Sequence, residues 1–323
     1  MTRGPTVTVL CGGVGAARFL QGLLGIVPAS EVTAVVNTGD DTVLHGLHIS
    51  PDLDTITYTL SGSVNPATGW GLAGETWSAM DALERFASVR PSGSTAAGTW
   101  FGLGDRDLAT HLYRTHRLHE GATLTAVTAE VAAAFGLSVR LLPMSDDRVE
   151  TRVVVVDKGE IGFQEYFVGM HHDVAVSAVR FAGLDTARPA PDVVAAIERA
   201  GIVVIAPSNP IVSIGPVVAF PAIADVTRAR RSSVVAVSPI VAGAALKGPA
   251  ARMLDELGHE ASVVGVARLY RDLAATLVID TADGDLAASV EAEGMRAVVT
   301  DTVMRTPEIA AALAARVLAA GHR

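Results

Sequence analysis

The chain has a single cysteine, Cys11, so an internal disulfide framework is excluded. Lysine is almost absent: Lys158 and Lys247 are the only two, and the formal net charge is −9. A protein whose main partner is nucleic acid normally presents a basic surface, so that class is set aside. Long apolar runs are missing too. Mean hydropathy is +0.39, yet the excess is alanine and valine spread over short segments, none near the ~20 apolar residues of a spanning helix. No membrane association is therefore expected. Met-Thr-Arg-Gly-Pro leads straight into a strand with no signal-peptide core, and a cytoplasmic location is expected. Three catalytic signatures are also lacking. There is no Gly-x-Ser-x-Gly elbow, His45 and His48 have no zinc-site spacing, and no glycine-rich loop ends in Gly-Lys-Ser/Thr.

What is present is a large apolar fraction, 50% of 323 residues, enough for a sizeable core in one big domain with an insertion or in two smaller ones. Short β-branched runs alternate with helical patterns. Thr6–Leu10, Val32–Val36, Val139–Leu142, Ile202–Ala206, Val234–Val237, Ala275–Ile279 and Ala297–Thr300 read as strands buried on both faces. The expected fold is α/β, a doubly wound Rossmann-like parallel sheet with helices on both faces. Between residues 149 and 191 the style changes. Thr151–Asp157 and Ile161–Val168 alternate around Lys158-Gly159 as an antiparallel pair would, so 149–191 is expected as an inserted β-rich lobe and 1–148 with 192–323 as the core. Trp77, Met80, Leu83 and Phe86 fall at helical spacing, as a core stripe would.

Unusual loops follow several strand ends, and in a parallel sheet those ends share one edge. The first is Cys11-Gly12-Gly13-Val14-Gly15, a turn into a helix whose amides suit phosphate. The dinucleotide fingerprint is incomplete, since Arg18 stands where glycine or alanine belongs; a tight strand-helix turn is the other reading. The second runs from Asn37 to Thr55 and holds Asp40, Asp41, Asp52 and Asp54 with His45 and His48. Ser50 as N-cap and Pro51 at the first helical position mark a helix start, where early acids also serve as caps. Four acids with two histidines in one connection instead suggest a cation or proton-transfer site. The third, Ser208 to Ser213, offers Ser208, Asn209 and Ser213 to a nucleotide base or phosphates, or is a proline-stiffened turn. Lys247 sits in a fourth and suits a phosphate or a surface acid. Diphosphate-binding amides with oxygen ligands for a hard cation point to transfer from an activated phosphate donor.

Eight segments, taken together, resemble the phospholactate transferase family of coenzyme F-420 biosynthesis. They are Cys-Gly-Gly-Val-Gly-Ala-Ala-Arg-Phe-Leu at 11–20, Asn-Thr-Gly-Asp-Asp at 37–41, Ser-Pro-Asp-Leu-Asp-Thr at 50–55, Leu-Gly-Asp-Arg-Asp-Leu-Ala-Thr-His at 103–111, Leu-Pro-Met-Ser-Asp-Asp at 142–147, Phe-Gln-Glu-Tyr-Phe-Val at 163–168, Ala-Pro-Ser-Asn-Pro at 206–210 and Lys-Gly-Pro-Ala at 247–250. The resemblance spans nearly the whole chain. It implies a magnesium-dependent transferase that moves a phosphoenolpyruvyl or 2-phospho-L-lactyl group from a guanosine diphosphate-type donor to the terminal ribityl hydroxyl of the deazaflavin Fo, releasing GMP. It further implies Asp54 as the Fo-binding acid and candidate base, and a homodimer. Asp40 and Asp41 are then the expected magnesium ligands. Gly12, Gly13, Gly15, Asp52, Ser208, Asn209, Ser213 and Lys247 are expected around the substrates, with Trp70 or Trp100 stacking on the deazaflavin. A nucleotide-sugar-binding regulator of a related fold family is the alternative.

Overall fold

The computed structural model describes residues 6–245 and 248–321. Seven strands form one sheet: β1 (Val7–Cys11), β2 (Val32–Val36), β3 (Arg140–Pro143), β4 (Ile202–Ile205), β5 (Val234–Val237), β6 (Thr276–Asp280) and β7 (Arg296–Thr300). Their order is β7-β6-β5-β4-β1-β2-β3, and each neighbouring pair is parallel. The expected α/β fold is the one observed.

Both faces of this sheet are covered, which is why its strands read as unbroken apolar runs rather than alternating ones. Val7, Val9 and Cys11 pack on one side with Phe19 and Leu20 of α1 (Gly13–Leu24) and Leu313 and Val317 of the C-terminal helix Pro307–Gly321. Leu10 faces the other side, with Ile197 of helix Val193–Arg199, Ile223 of helix Pro221–Ala229 and Val266 of helix Val263–Tyr270. The two periodicities therefore mesh. Every second strand residue meets the apolar stripe of a helix on its own side.

Strand order runs outward from β1 in both directions, so the chain reverses between β1 and β4. At such a switch point the flanking loops part and leave a crevice beyond the carboxyl ends of the strands. The loops after β1, β2 and β4 all open there.

Three expectations need correction. The connection after β2 is not simply a loop: Thr42–Leu44 and Leu47–Ile49 pair as a hairpin, closed by His45 and Gly46 at φ 53° and 78°. Two positive φ values in a two-residue turn match the twist of paired strands. In the 149–191 segment, Glu150–Val155 pairs antiparallel with Gly159–Gly162 and with Val176–Ala182, but the second strand ends at Gly162. Beyond it Glu165–Gly169 winds into a π-turn, because Phe163 and Tyr166 pack together against Val212 and Met253 rather than alternating across a sheet. The Trp77–Phe86 stripe is not core either. Only Met80 is buried, while Trp77 and Phe86 are exposed.

Candidate active site

One cavity of about 720 Å³ fills the crevice. The Gly12–Gly15 turn and Arg18 form its centre. On the β4 side it is walled by Pro207 to Asn209, Val212, Ser213, Ser238 and Thr302 to Arg305. On the β2 side lie Asp40, Asp52, Asp54, Tyr58, Trp70, Phe101 and His111. Phe163 and Phe167, stacked at 5.5 Å between ring centroids, line it from the 149–191 segment, and Phe167 reaches Gly248 on the opposite wall.

The glycine turn is shaped by Asp52. A side chain on Gly12 would collide with Asp52 Oδ2, and Gly13 takes φ +73°, a left-handed conformation that suits glycine. Its amides are not simply open, as the sequence suggested. The Gly12 amide donates to Ser208 Oγ at 3.2 Å while that hydroxyl donates to the Gly12 carbonyl at 2.8 Å. The Gly13 amide hydrogen-bonds to the Asp52 carboxylate. Val14 and Gly15, in the helix's first turn where no intrahelical acceptor exists, line the cavity. Gly15 has a second duty: a Cβ there would strike the Pro207 carbonyl.

Helix α2 (Pro51–Leu60) carries two of the acids. Ser50 does not cap it through its side chain; its hydroxyl donates instead to Asp41 Oδ2 at 2.6 Å. That bond is part of the reason Asp41 is not in the main cavity. Consecutive turn residues send their side chains apart, and Asp41 lines a separate cavity of about 280 Å³ with Thr38, His48 and His119. Of the expected Asp40 and Asp41 pair only Asp40 lines the main cavity, and there it faces Asp52 electrostatically. Burial first, and the Asp52 charge second, push the Asp40 carboxyl well up, against an opposing pull from Asn37. Burial likewise raises Asp52 to about 6, opposed by hydrogen bonds from Asn37 and Gly13. Asp40 Oδ1 is buried with no hydrogen-bond partner among the described residues. Two desolvated carboxylates, one with an orphaned oxygen, are a donor set suited to a hard cation.

Asp54 is not a free carboxylate. The buried Arg114 guanidinium holds it through both nitrogens, Nη1 at 3.1 Å and Nη2 closer still. Arg114 belongs to α3 (Asp107–His119), which also brings His111 and Asp107 to the cavity. His111 Nδ1 lies 3.7 Å from Asp54 Oδ2, and its Nε2 lies 3.3 Å from Asp107 Oδ2. Tyr58 of α2 donates to Asp107 Oδ1 at 2.5 Å. Asp54, Asp107 and His111 are close enough for a metal, but Arg114 already supplies the cation they surround. Apart from Asp54, none of this network had been assigned a role from sequence. Its signal was there: Asp107, His111 and Arg114 stand at i, i+4 and i+7, one polar face on a helix.

Asn209 and Ser213 both line the cavity. The Asn209 amide oxygen is turned inward, however, accepting from the Ile211 amide at 2.9 Å and the Val212 amide at 3.4 Å. Trp70 lines the cavity and Trp100 does not; Trp100 packs edge-on against Phe101, which takes the wall position instead. Lys247 lies outside the described residues. Arg18 and Thr302 to Arg305 are wall residues that sequence reading left without a role.

A family model described as 2-phospho-L-lactate transferase CofD matches residues 7–318. The chain belongs to this family. It is 44% identical over 318 residues to a phosphoenolpyruvate transferase of Kitasatospora aureofaciens, covering 97% of each chain. A phosphoenolpyruvate transferase of Nocardia farcinica is 43% identical over 309 residues, 92% of this chain and 91% of that one. Among solved structures, a UPF0052 family protein from Bacillus halodurans superposes with a TM-score of 0.61 at 15% identity, covering 98% of this chain and 100% of that one. That likeness concerns the fold. The full-length family match makes this chain a transferase, and the glycine turn, the acids and α3 all fall inside the matched residues. Among the described residues no single helix is long and apolar enough to cross a membrane.

Proposed function

We propose that the protein transfers a phosphoenolpyruvyl group from a guanosine diphosphate-type donor to the terminal ribityl hydroxyl of Fo, releasing GMP, in coenzyme F-420 biosynthesis. The observation that carries this reading is the two-sided cavity with Asp40 and Asp52 beside the glycine turn at its centre. One side offers the groups a nucleotide diphosphate needs: the Val14 and Gly15 amides at a helix start, the Arg18 guanidinium and the Ser213 hydroxyl. The other offers flat apolar faces, Trp70, Phe101, Phe163 and Phe167, suited to a ring system, with Asp54 beside them for a hydroxyl.

Asp40 and Asp52 would hold magnesium. When bound, the ion supplies charge neutralisation on the leaving phosphate. The chain's own work is positional: Arg114 fixes the Asp54 carboxylate, and Asp54 accepts the hydrogen bond of the attacking hydroxyl. Holding nucleophile and phosphorus in line removes much of the entropic barrier of a bimolecular step. The test is direct. Purified protein, Fo, the enolpyruvyl-diphosphoguanosine donor and magnesium should yield GMP and phosphoenolpyruvyl-Fo in equal amounts. Tight nucleotide binding without GMP release would favour the regulator reading instead.

A further inference from the structure

Gln164 is 7% exposed and lines the cavity, between Phe163 and the π-turn Glu165–Gly169 that carries Phe167. Its Nε2 donates to the Asp40 carbonyl at 3.1 Å. A carbonyl oxygen only accepts, so the amide nitrogen has to be the end turned toward Asp40, which leaves Oε1 as the end turned away from it. Oε1 accepts no hydrogen bond among the described residues and is not fully occluded. Its opening is the cavity that Gln164 lines.

Anchoring the Asp40 turn does not account for this arrangement. The same segment already holds that turn through the Thr151 amide, which donates to the Gly39 carbonyl at 2.7 Å, and an anchor needs only the donor end of an amide. The acceptor end is left over. It stands where two surfaces meet: the stacked rings of Phe163 and Phe167 along its own turn, and the acids that begin at Asp40.

We propose that Gln164 Oε1 accepts a hydrogen bond from a secondary hydroxyl of the acceptor's ribityl chain, so that the site selects a polyol linker between the ring and the attacking hydroxyl. This rests on the transfer reading above. With the ring on the aromatic faces and the terminal hydroxyl at Asp54, the chain that joins them spans the gap in which Gln164 stands. The nearby carboxylates are otherwise engaged. Asp54 is gripped through both oxygens by Arg114, and Asp40 and Asp52 are the acids assigned to the cation. A neutral amide already fixed by the Asp40 carbonyl loses little freedom on binding a hydroxyl. Sites built to hydrogen-bond a hydroxyl reject analogues that lack it far better than sites that merely enclose it.

The experiment is calorimetry of wild type and Gln164→Met, with magnesium and without donor, against Fo and analogues in which one secondary ribityl hydroxyl at a time is replaced by hydrogen. Methionine keeps the length of the side chain and removes the amide. Wild type should bind one of the analogues about tenfold more weakly than Fo, as a lost hydrogen bond implies. Gln164→Met should bind Fo about tenfold more weakly than wild type does and show no preference for Fo over that same analogue. A merely structural residue would weaken every acceptor by one factor and leave the preferences as they were, and that result overturns the proposal. So does a Gln164→Met protein changed only in its affinity for magnesium, or a wild type indifferent to every hydroxyl. If Gln164→Met does not melt cooperatively, Gln164→Asn, which withdraws the amide by one methylene, decides by the same ratios. Failure of the transfer reading shows separately: wild type would bind Fo with these preferences yet release no GMP when donor is added, whereas a wild type without affinity for Fo overturns both.

Discussion

Asn37 Nδ2 donates to Asp52 Oδ2 at 3.0 Å and to the Val212 carbonyl at 3.3 Å, so one buried amide ties together the end of β2, the start of α2 and the loop after β4. Its oxygen accepts from the Gly39 amide at 2.8 Å. Three hydrogen bonds of the crevice floor thus depend on a single side chain. Asn37→Ala should cost ~1–3 kcal/mol, since it takes one of two donors from the Asp52 carboxylate and the donor from the Val212 carbonyl. It should also raise the Asp52 carboxyl further, because Asn37 is the larger of the two pulls holding it down. Urea unfolding checks the first expectation, and the pH dependence of magnesium binding checks the second.

Asp52 makes a pH prediction whose sign runs against the usual one. Its carboxyl is raised from an ordinary 3.8 to about 6. Between those values the folded state binds the extra proton, so this group's contribution to stability falls as pH rises through about 6. Magnesium held as proposed would reverse the trend by compensating the ionised carboxylate. Thermal melts should show a clear upward shift of Tm with magnesium at about pH 7.5 and little at about pH 5, because binding to the folded state stabilises it only where the ligand is deprotonated. Equal shifts at both would remove Asp52 from the cation site.

Arg114 and Asp54 are predicted to fail differently. Arg114→Ala leaves Asp54 buried without its counter-charge, a change that costs ~3–5 kcal/mol; a urea titration should show it. Asp54→Asn keeps the shape and removes the charge. It should fold, bind donor normally and lose ~10²–10⁴ in kcat. Near-normal turnover of Asp54→Asn under saturating magnesium would exclude any role for it at the hydroxyl.

The fold was legible because the strands are short, β-branched and buried on both faces, and alternate with helical patterns as in a covered parallel sheet. The loops were legible as loops. What could not be read was which way their polar atoms turn. Asn209 and Ser208 look like ligand groups in the sequence, yet the first caps Pro210–Ile214 and the second bridges to Gly12, because serine and asparagine satisfy local backbone as readily as a substrate. Asp41 was separated from Asp40 by the hydroxyl of Ser50. The α3 network was missed because its partners lie far off along the chain: Asp54 meets Arg114 across 60 residues. The exposed Trp77 and Phe86 show the converse, that helical spacing alone does not establish burial.

These orientations change which variant tests the proposed nucleotide site. Asn209→Ala should lose ~1 kcal/mol of stability through its cap before any effect on binding. Arg18 is the cleaner probe. It lines the cavity beside the glycine turn, three residues on from Gly15, and helical side chains lean toward the N-terminus, here toward the crevice. Calorimetry on Arg18→Ala should show weaker guanosine diphosphate binding, by about tenfold or more for a lost charge-assisted hydrogen bond, with Fo affinity spared. Equal loss for both ligands would instead indicate a damaged fold.

The remaining question is which three-carbon unit moves. Enolpyruvyl and lactyl donors share the diphosphoguanosine handle and differ only at the far end, where a planar carbon replaces a tetrahedral one. Sites reject such small differences poorly, by ~1–3 kcal/mol at best, unless a buried polar group is left unpaired by the wrong form. The cavity wall near Asp40 and Asp52 includes the glycine turn, Gln164 and Ser213. The expectation therefore rests on kinship and composition. Relatives at 44% and 43% identity are phosphoenolpyruvate transferases, and the two lysines among many arginines and alanines are the residue usage of a GC-rich bacterium. The product made in extracts of the native host should be the dehydro form, lighter than the lactyl product by two hydrogens. Mass spectrometry of that product decides the matter: the lactyl form alone would reassign the proposed donor.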